Sequence, residues 1–117
     1  MAPGQAPLPS RLKRRAEFLR VASQGRKAAV HSLVLQALVR PDNAPARIGF
    51  TVTKKVGNAV VRNRTRRRLK EAARLLLRTR AVVGVDLVVI GRDMTRGRPF
   101  EDLIGDLDRA LTKVGVR

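Results

Sequence analysis

Lys54–Ala72 reads KKVGNAVVRNRTRRRLKEA, and the fold turns on how that stretch is parsed. Gly57 and Asn58 break the chain, and beyond them small and apolar residues recur at spacings of three and four. Val61, Thr65, Leu69, Ala72, Ala73 and Leu76 fall on one arc. Arg62, Arg66, Lys70, Arg74 and Arg78 step by four around the neighbouring face, joined by Arg64, Arg67 and Arg68. The pattern predicts a helix from about Ala59 to Arg78, packed on one side and basic on the rest. Glu71 is the only acid between Lys54 and Arg80, so the cations repel one another by about a few tenths of a kcal/mol per pair. An external anion would relieve that.

Outward from this helix the period changes. Arg47–Thr53 alternates, with Ile48, Phe50 and Val52 on one face and the small residues Gly49, Thr51 and Thr53 on the other, where a backbone or a ligand can approach closely. Ala29–Val39 also alternates, and Pro41-Asp42-Asn43-Ala44-Pro45 has turn chemistry, so the two strands are expected to form a hairpin. Ser10 suits a helix N-cap, and Leu12, Ala16 and Leu19 form a stripe that Gly25 ends, predicting a short helix that carries Arg11, Lys13, Arg14, Arg15 and Arg20. Downstream, Val85–Ile90 is nearly continuous in aliphatic residues after Asp86, as in a strand buried on both faces. Pro99 suits a helix start, and Phe100, Leu103, Ile104, Leu107, Leu111 and Val114 mark a core helix with Glu101 and Asp102 in its first turn.

The charge is polarised along the chain. Of 26 Lys+Arg and 9 Asp+Glu in 117 residues, 20 basic and 3 acidic residues precede position 81, and the 6 basic and 6 acidic residues after it cancel, so the whole +17 lies in the first 80 residues. A soluble domain of this size needs a net charge of only about 2–8, so one face is built for a polyanion. With 44% hydrophobic residues at regular spacing, a single packed domain over residues 10–117 is expected, preceded by a flexible, proline-rich tail over residues 1–9. There is no cysteine, no apolar run long enough to cross a membrane and no secretory signal pattern, which points to the cytoplasm and away from a membrane partner.

Catalytic constellations are not legible. His31 is the only histidine and has no acid or second histidine at ligand spacing, so no metal-binding residue is expected in this chain. The acids are dispersed, with Glu101, Asp102, Asp106 and Asp108 gathered in the last helix, whereas two-metal nuclease chemistry needs converging carboxylates on the basic face. Neither phosphate-loop signature occurs. Without Tyr or Trp and with three Phe, a base-stacking sheet module is a poor fit, and Phe18 either stacks on a nucleotide or covers the sheet edge.

The ordered string Lys54, Lys55, Gly57, Asn58, Ala59, Arg62, Asn63, Arg64 resembles the signature K-[KR]-x-G-x-A-x-x-R-N-R of the protein subunit of bacterial ribonuclease P. Phe18, Val21 and Gly25 match that family's upstream F-x-x-V-x-x-x-G segment and Asp86–Val89 its D-[LIV]-V-[LIV] strand, so the likeness runs from about Ser10 to Val114. The resemblance implies an α/β (α+β) two-layer sandwich in the order α-β-β-β-α-β-α, ribosomal protein S5 domain 2-like, with a left-handed βαβ crossover that no periodicity argument reveals. It also implies a function. The family's RNA subunit performs a Mg²⁺-dependent endonucleolytic removal of the 5′ leader of precursor tRNA, Mg²⁺ being held mainly by RNA, while one protein per RNA binds the catalytic RNA and the leader. Carried over, Lys54, Lys55, Asn58, Arg62, Asn63, Arg64, Arg66, Arg67, Arg68 and Lys70 face the catalytic RNA, and Arg14, Phe18, Gln36 and Thr53 line a cleft for the leader. Ala22 and Gln36 stand where relatives often carry Phe and Tyr, which leaves phosphate contacts and hydrogen bonds in place of stacking, or a weaker leader preference. Composition alone fits a ribosomal or general RNA-chaperone protein equally well, and the ordered string separates the two.

Overall fold

The computed structural model describes residues 9–116; residues 1–8 of the expected tail, and Arg117, lie outside the described residues. Five strands and three helices follow in the order β1 (Ser10–Arg11), α1 (Arg15–Gln24), β2 (Arg26–Ala29), β3 (Leu33–Val39), β4 (Arg47–Val52), α2 (Ala59–Thr79), β5 (Val85–Gly91) and α3 (Phe100–Lys113). Single 3₁₀ turns at Lys54–Val56 and Asp93–Thr95 lead out of β4 and β5. The strands form one mixed sheet in the order β1-β4-β5-β3-β2.

Strand alternation divides the core in two. Leu35, Ile48, Leu87 and Val89 point to the face covered by α2 and α3, through Leu69, Ala73, Leu103, Leu107 and Leu111. Val88, Leu38 and Ile90 point to the other face, where Leu12, Phe18 and Val21 pack. The architecture is therefore a sheet-on-helix sandwich with α1 alone on the second face.

β5 is the central strand, as its aliphatic run predicts, parallel to β4 and antiparallel to β3. This corrects the expected hairpin, because β5 lies between β3 and β4. Asp86 shows why: Arg40, at the end of β3, donates to Asp86 Oδ1 at 2.6 Å, and Arg47, at the start of β4, donates to both carboxylate oxygens at 2.9 and 2.6 Å. One buried acid on β5 thus pins the two flanking strands around it.

Two boundaries also differ from expectation. The first helix starts at Arg15 rather than behind Ser10, because Glu17 accepts from the backbone N–H groups of Lys13 and Arg14 at 3.1 and 3.0 Å, and Ser10 and Leu12 instead donate to Ala46 and Ile48 along the edge of β4. A stripe counted from Leu12 is therefore out of phase: Leu19 is 55% exposed and Val21 is fully buried. The expected strand over Ala29–Val39 breaks at His31, and β2, poor in β-formers, is held by antiparallel pairing with β3. Helices α2 and α3 fall within a residue or two of the expected limits.

Candidate nucleic-acid interface

The turn between β4 and α2 is fixed by two residues. Gly57 has φ 155°, and a Cβ there would meet Val61 at 2.9 Å, so glycine is required. Asn58 caps α2, its Oδ1 accepting from the backbone N–H of Val61 at 3.0 Å. Lys54 and Lys55 project from this turn into solvent. Thr65 and Leu69 are buried beneath the first turns of α2, which leaves the cations between them on the open sides of the helix.

Those cations point three ways. Asn63 and Arg67 stand outward, with Asn63 Oδ1 accepting from Arg66 Nη1 at 2.8 Å. On one flank, Arg64 and Arg68 line a concavity of about 350 Å³ together with Asp93, Arg96 and Gly97. On the other, Lys70 lies beside Arg11 and Arg66, and burial together with those two charges holds its ammonium below the ordinary lysine value. Among the described residues, Lys54, Lys55, Arg62, Arg64, Arg66, Arg67 and Lys70 form no ion pair.

Arg68 is different. Its guanidinium donates to the carbonyls of Thr95 at 2.6 Å, Arg96 at 3.3 Å and Arg98, and Arg96 in turn donates to the Val56 carbonyl at 3.2 Å. Arg68 therefore holds the segment after β5 against α2 and so positions the rim of the basic face. The same contacts bring Arg96 into that rim, although the neutral charge of the chain's last third gave no sign of it. Only the fold places Arg96 next to a helix 28 residues upstream.

The residues expected in a leader cleft share the second sheet face but are spread along it. Phe18 lies on Gly49, where a Cβ would overlap its ring, so the small residue on β4 is explained by an aromatic seat. Gln36 is 8% exposed on β3 opposite Val88 of β5. Thr51 and Ile90 on the same face are half-buried, and Thr53 is exposed four residues along from Gly49, about 13 Å at the strand rise. Arg14 is exposed at the N-cap of α1. On this same face Glu17 pairs with Arg47, and hydrogen bonds from the Arg14 and Lys13 backbone hold its carboxyl below the usual range.

Six of the nine carboxylates are committed to ion pairs, and Asp93, Glu101 and Asp102 are the three outside them. Glu17, Asp42, Glu71, Asp86, Asp106 and Asp108 all pair with arginines, and among the described residues no three His, Asp or Glu side chains converge. No helix among the described residues is long and apolar enough to cross a membrane. Fold and site together define a small α+β protein that presents unpaired arginines to a polyanion.

Residues 7–115 match the family model described as Ribonuclease P. The chain is 70% identical over 107 residues to the ribonuclease P protein component of Gluconacetobacter diazotrophicus, covering 92% of each, and 40% identical over 106 residues to that of Symbiobacterium thermophilum, covering 91% of each. Its fold superposes on the Staphylococcus aureus RNase P protein with a TM-score of 0.77 at 26% identity, covering 91% of this chain and 95% of the other. The Thermotoga maritima RNase P protein gives 0.74 at 24% identity over 90% and 97%, a likeness of fold. The chain belongs to the ribonuclease P protein family. Its place is in the ribonuclease P ribonucleoprotein, a tRNA-processing endoribonuclease, and the general RNA-chaperone alternative is not favoured.

Proposed function

We propose that the cations on the first turns of α2 grip the catalytic RNA, and that the second sheet face receives the 5′ leader of precursor tRNA. The observation that carries the first part is a capped helix presenting Arg62, Arg64 and Arg67 with no carboxylate paired to them among the described residues. Guanidinium forks bind phosphate oxygens in pairs, and Asn63 with Asn58 offers hydrogen bonds to the backbone or the 2′-OH. Lys54, Lys55, Arg66 and Lys70 extend the same field, and Arg68 holds its rim in place. Mg²⁺ belongs on the RNA, since Glu17, Asp86 and Asp106 are held in ion pairs by this chain's own arginines, and one protein serves each RNA in the cytoplasm.

For the leader, the support is a strip of sheet that α1 leaves partly open. Phe18 borders it, Gln36 and Thr53 offer hydrogen bonds, and Arg14 adds a cation at one end. No second aromatic stands there, so backbone contacts carry the binding.

Replacing Arg62 and Arg64 together by Ala weakens binding to a bacterial ribonuclease P RNA and flattens its salt dependence, each lost phosphate contact reducing the slope of log K against log salt by about 0.7–0.9. A double variant with an unchanged slope contradicts the assignment.

A further inference from the structure

A second recess lies on the opposite side of the sheet from the leader face. It runs between the β1–β4 edge and α2 and encloses about 350 Å³, within the range of small-ligand sites. Ile48, Phe50 and Ala73 form its floor, and Arg11, Lys70 and Arg74 its rim. Arg74 is paired with Glu71 at 2.5 Å, but among the described residues Arg11 and Lys70 have no carboxylate partner. The half-buried Phe50 is the one aromatic ring in the floor.

An apolar floor beneath two uncompensated cations matches a ligand with a flat apolar body and an attached anion. A nucleotide has that form: base–aromatic contact tolerates any base, and the phosphate takes the cations. An acidic peptide would use the rim but leave the floor empty. Lys70 also belongs to the basic face of α2, so a strand of RNA crossing that face reaches the recess without leaving the protein. We propose that this recess holds one unpaired nucleotide of the catalytic RNA, its base against Phe50 and Ile48 and its phosphate between Arg11 and Lys70. Lys70 is already crowded by Arg11 and Arg66 and partly desolvated, and the phosphate offsets both penalties. RNA as the occupant rests on the function proposed above; the preference for a base does not.

The test is an NMR titration of the full chain with 5′-AMP, ribose 5-phosphate and inorganic phosphate at matched ionic strength. AMP shifts the amides of Ile48, Phe50, Lys70 and Ala73 and binds at least fivefold more tightly than ribose 5-phosphate. Lys70→Gln weakens AMP fivefold or more, and Phe50→Leu, which preserves an apolar core residue, removes the advantage of the base. Equal affinities for the three ligands mean simple anion attraction and overturn the proposal. Saturating the chain with a bacterial ribonuclease P RNA abolishes AMP binding; an AMP site that survives unchanged in the complex overturns RNA as the occupant. If the chain does not bind the RNA at all, the interface on α2 and the RNA occupant both fall, whereas base preference in the free chain stands or falls by the mononucleotide series.

Discussion

A carboxylate in the middle of a sheet is tolerated only with cations on it, and Asp86 has two. Burial alone raises its pKa, but the hydrogen bonds and charges of Arg47 and Arg40 prevail and hold it below the ordinary aspartate value. Asp86→Asn keeps the shape and leaves two arginines under-compensated, so denaturant unfolding shows a loss of about 3 kcal/mol. A folded pKa below the unfolded value of about 3.9 means that the stabilisation is complete above that pH and is lost as pH falls through and below it. Between about pH 4 and pH 2 the parent chain therefore loses more stability than Asp86→Asn does; parallel losses contradict the account. Gly49 makes a second residue-scale prediction. Gly49→Ala displaces the Phe18 ring and costs about 1–3 kcal/mol, and in a cycle with Phe18→Ala the double variant loses less than the sum of the two. Strict additivity would mean that Phe18 does not rest on β4.

At the scale of elements, the segment from Asp93 to Arg98 depends on one fork. Arg68 satisfies three carbonyls that a lysine, as a point donor, does not reach together. Arg68→Lys speeds backbone amide exchange across Thr95–Arg98 about tenfold while α2 keeps its protection, and unchanged exchange there denies Arg68 its holding role. Elements read well where the period is long. Helix α2, helix α3 and the aliphatic strand β5 rest on patterns that their own residues carry. What escaped reading depends on partners distant in sequence: β1 exists because β4 has an open edge, β2 because β3 accepts it, and the place of β5 between β3 and β4 because Asp86 draws in Arg40 and Arg47. The start of α1 was obscured because Ser10 looks like a cap, while Glu17 does the capping from inside the helix.

At the scale of the whole molecule, the concentration of +17 in the first 80 residues was plain in the sequence, and so were the cations of α2. Their division among an outward side and two flanks was not, because it depends on which neighbours each flank meets: Arg11 and Phe50 on one, Asp93 and Arg96 on the other. Asp86, Asp106 and Asp108 are drawn into ion pairs that hold strands and helices together, and the unpaired cations of α2 are left for the partner. This distribution of charge is what an RNA-assembling subunit needs, and the most direct measurement is functional. Precursor tRNA is incubated at low, near-physiological Mg²⁺ with a bacterial ribonuclease P RNA, with and without this chain, across a series of leader lengths. Cleavage at the mature 5′ end is expected only with both components, and faster as the leader lengthens. Binding of the RNA without any gain in cleavage, with a cognate RNA and an active control subunit, would contradict it.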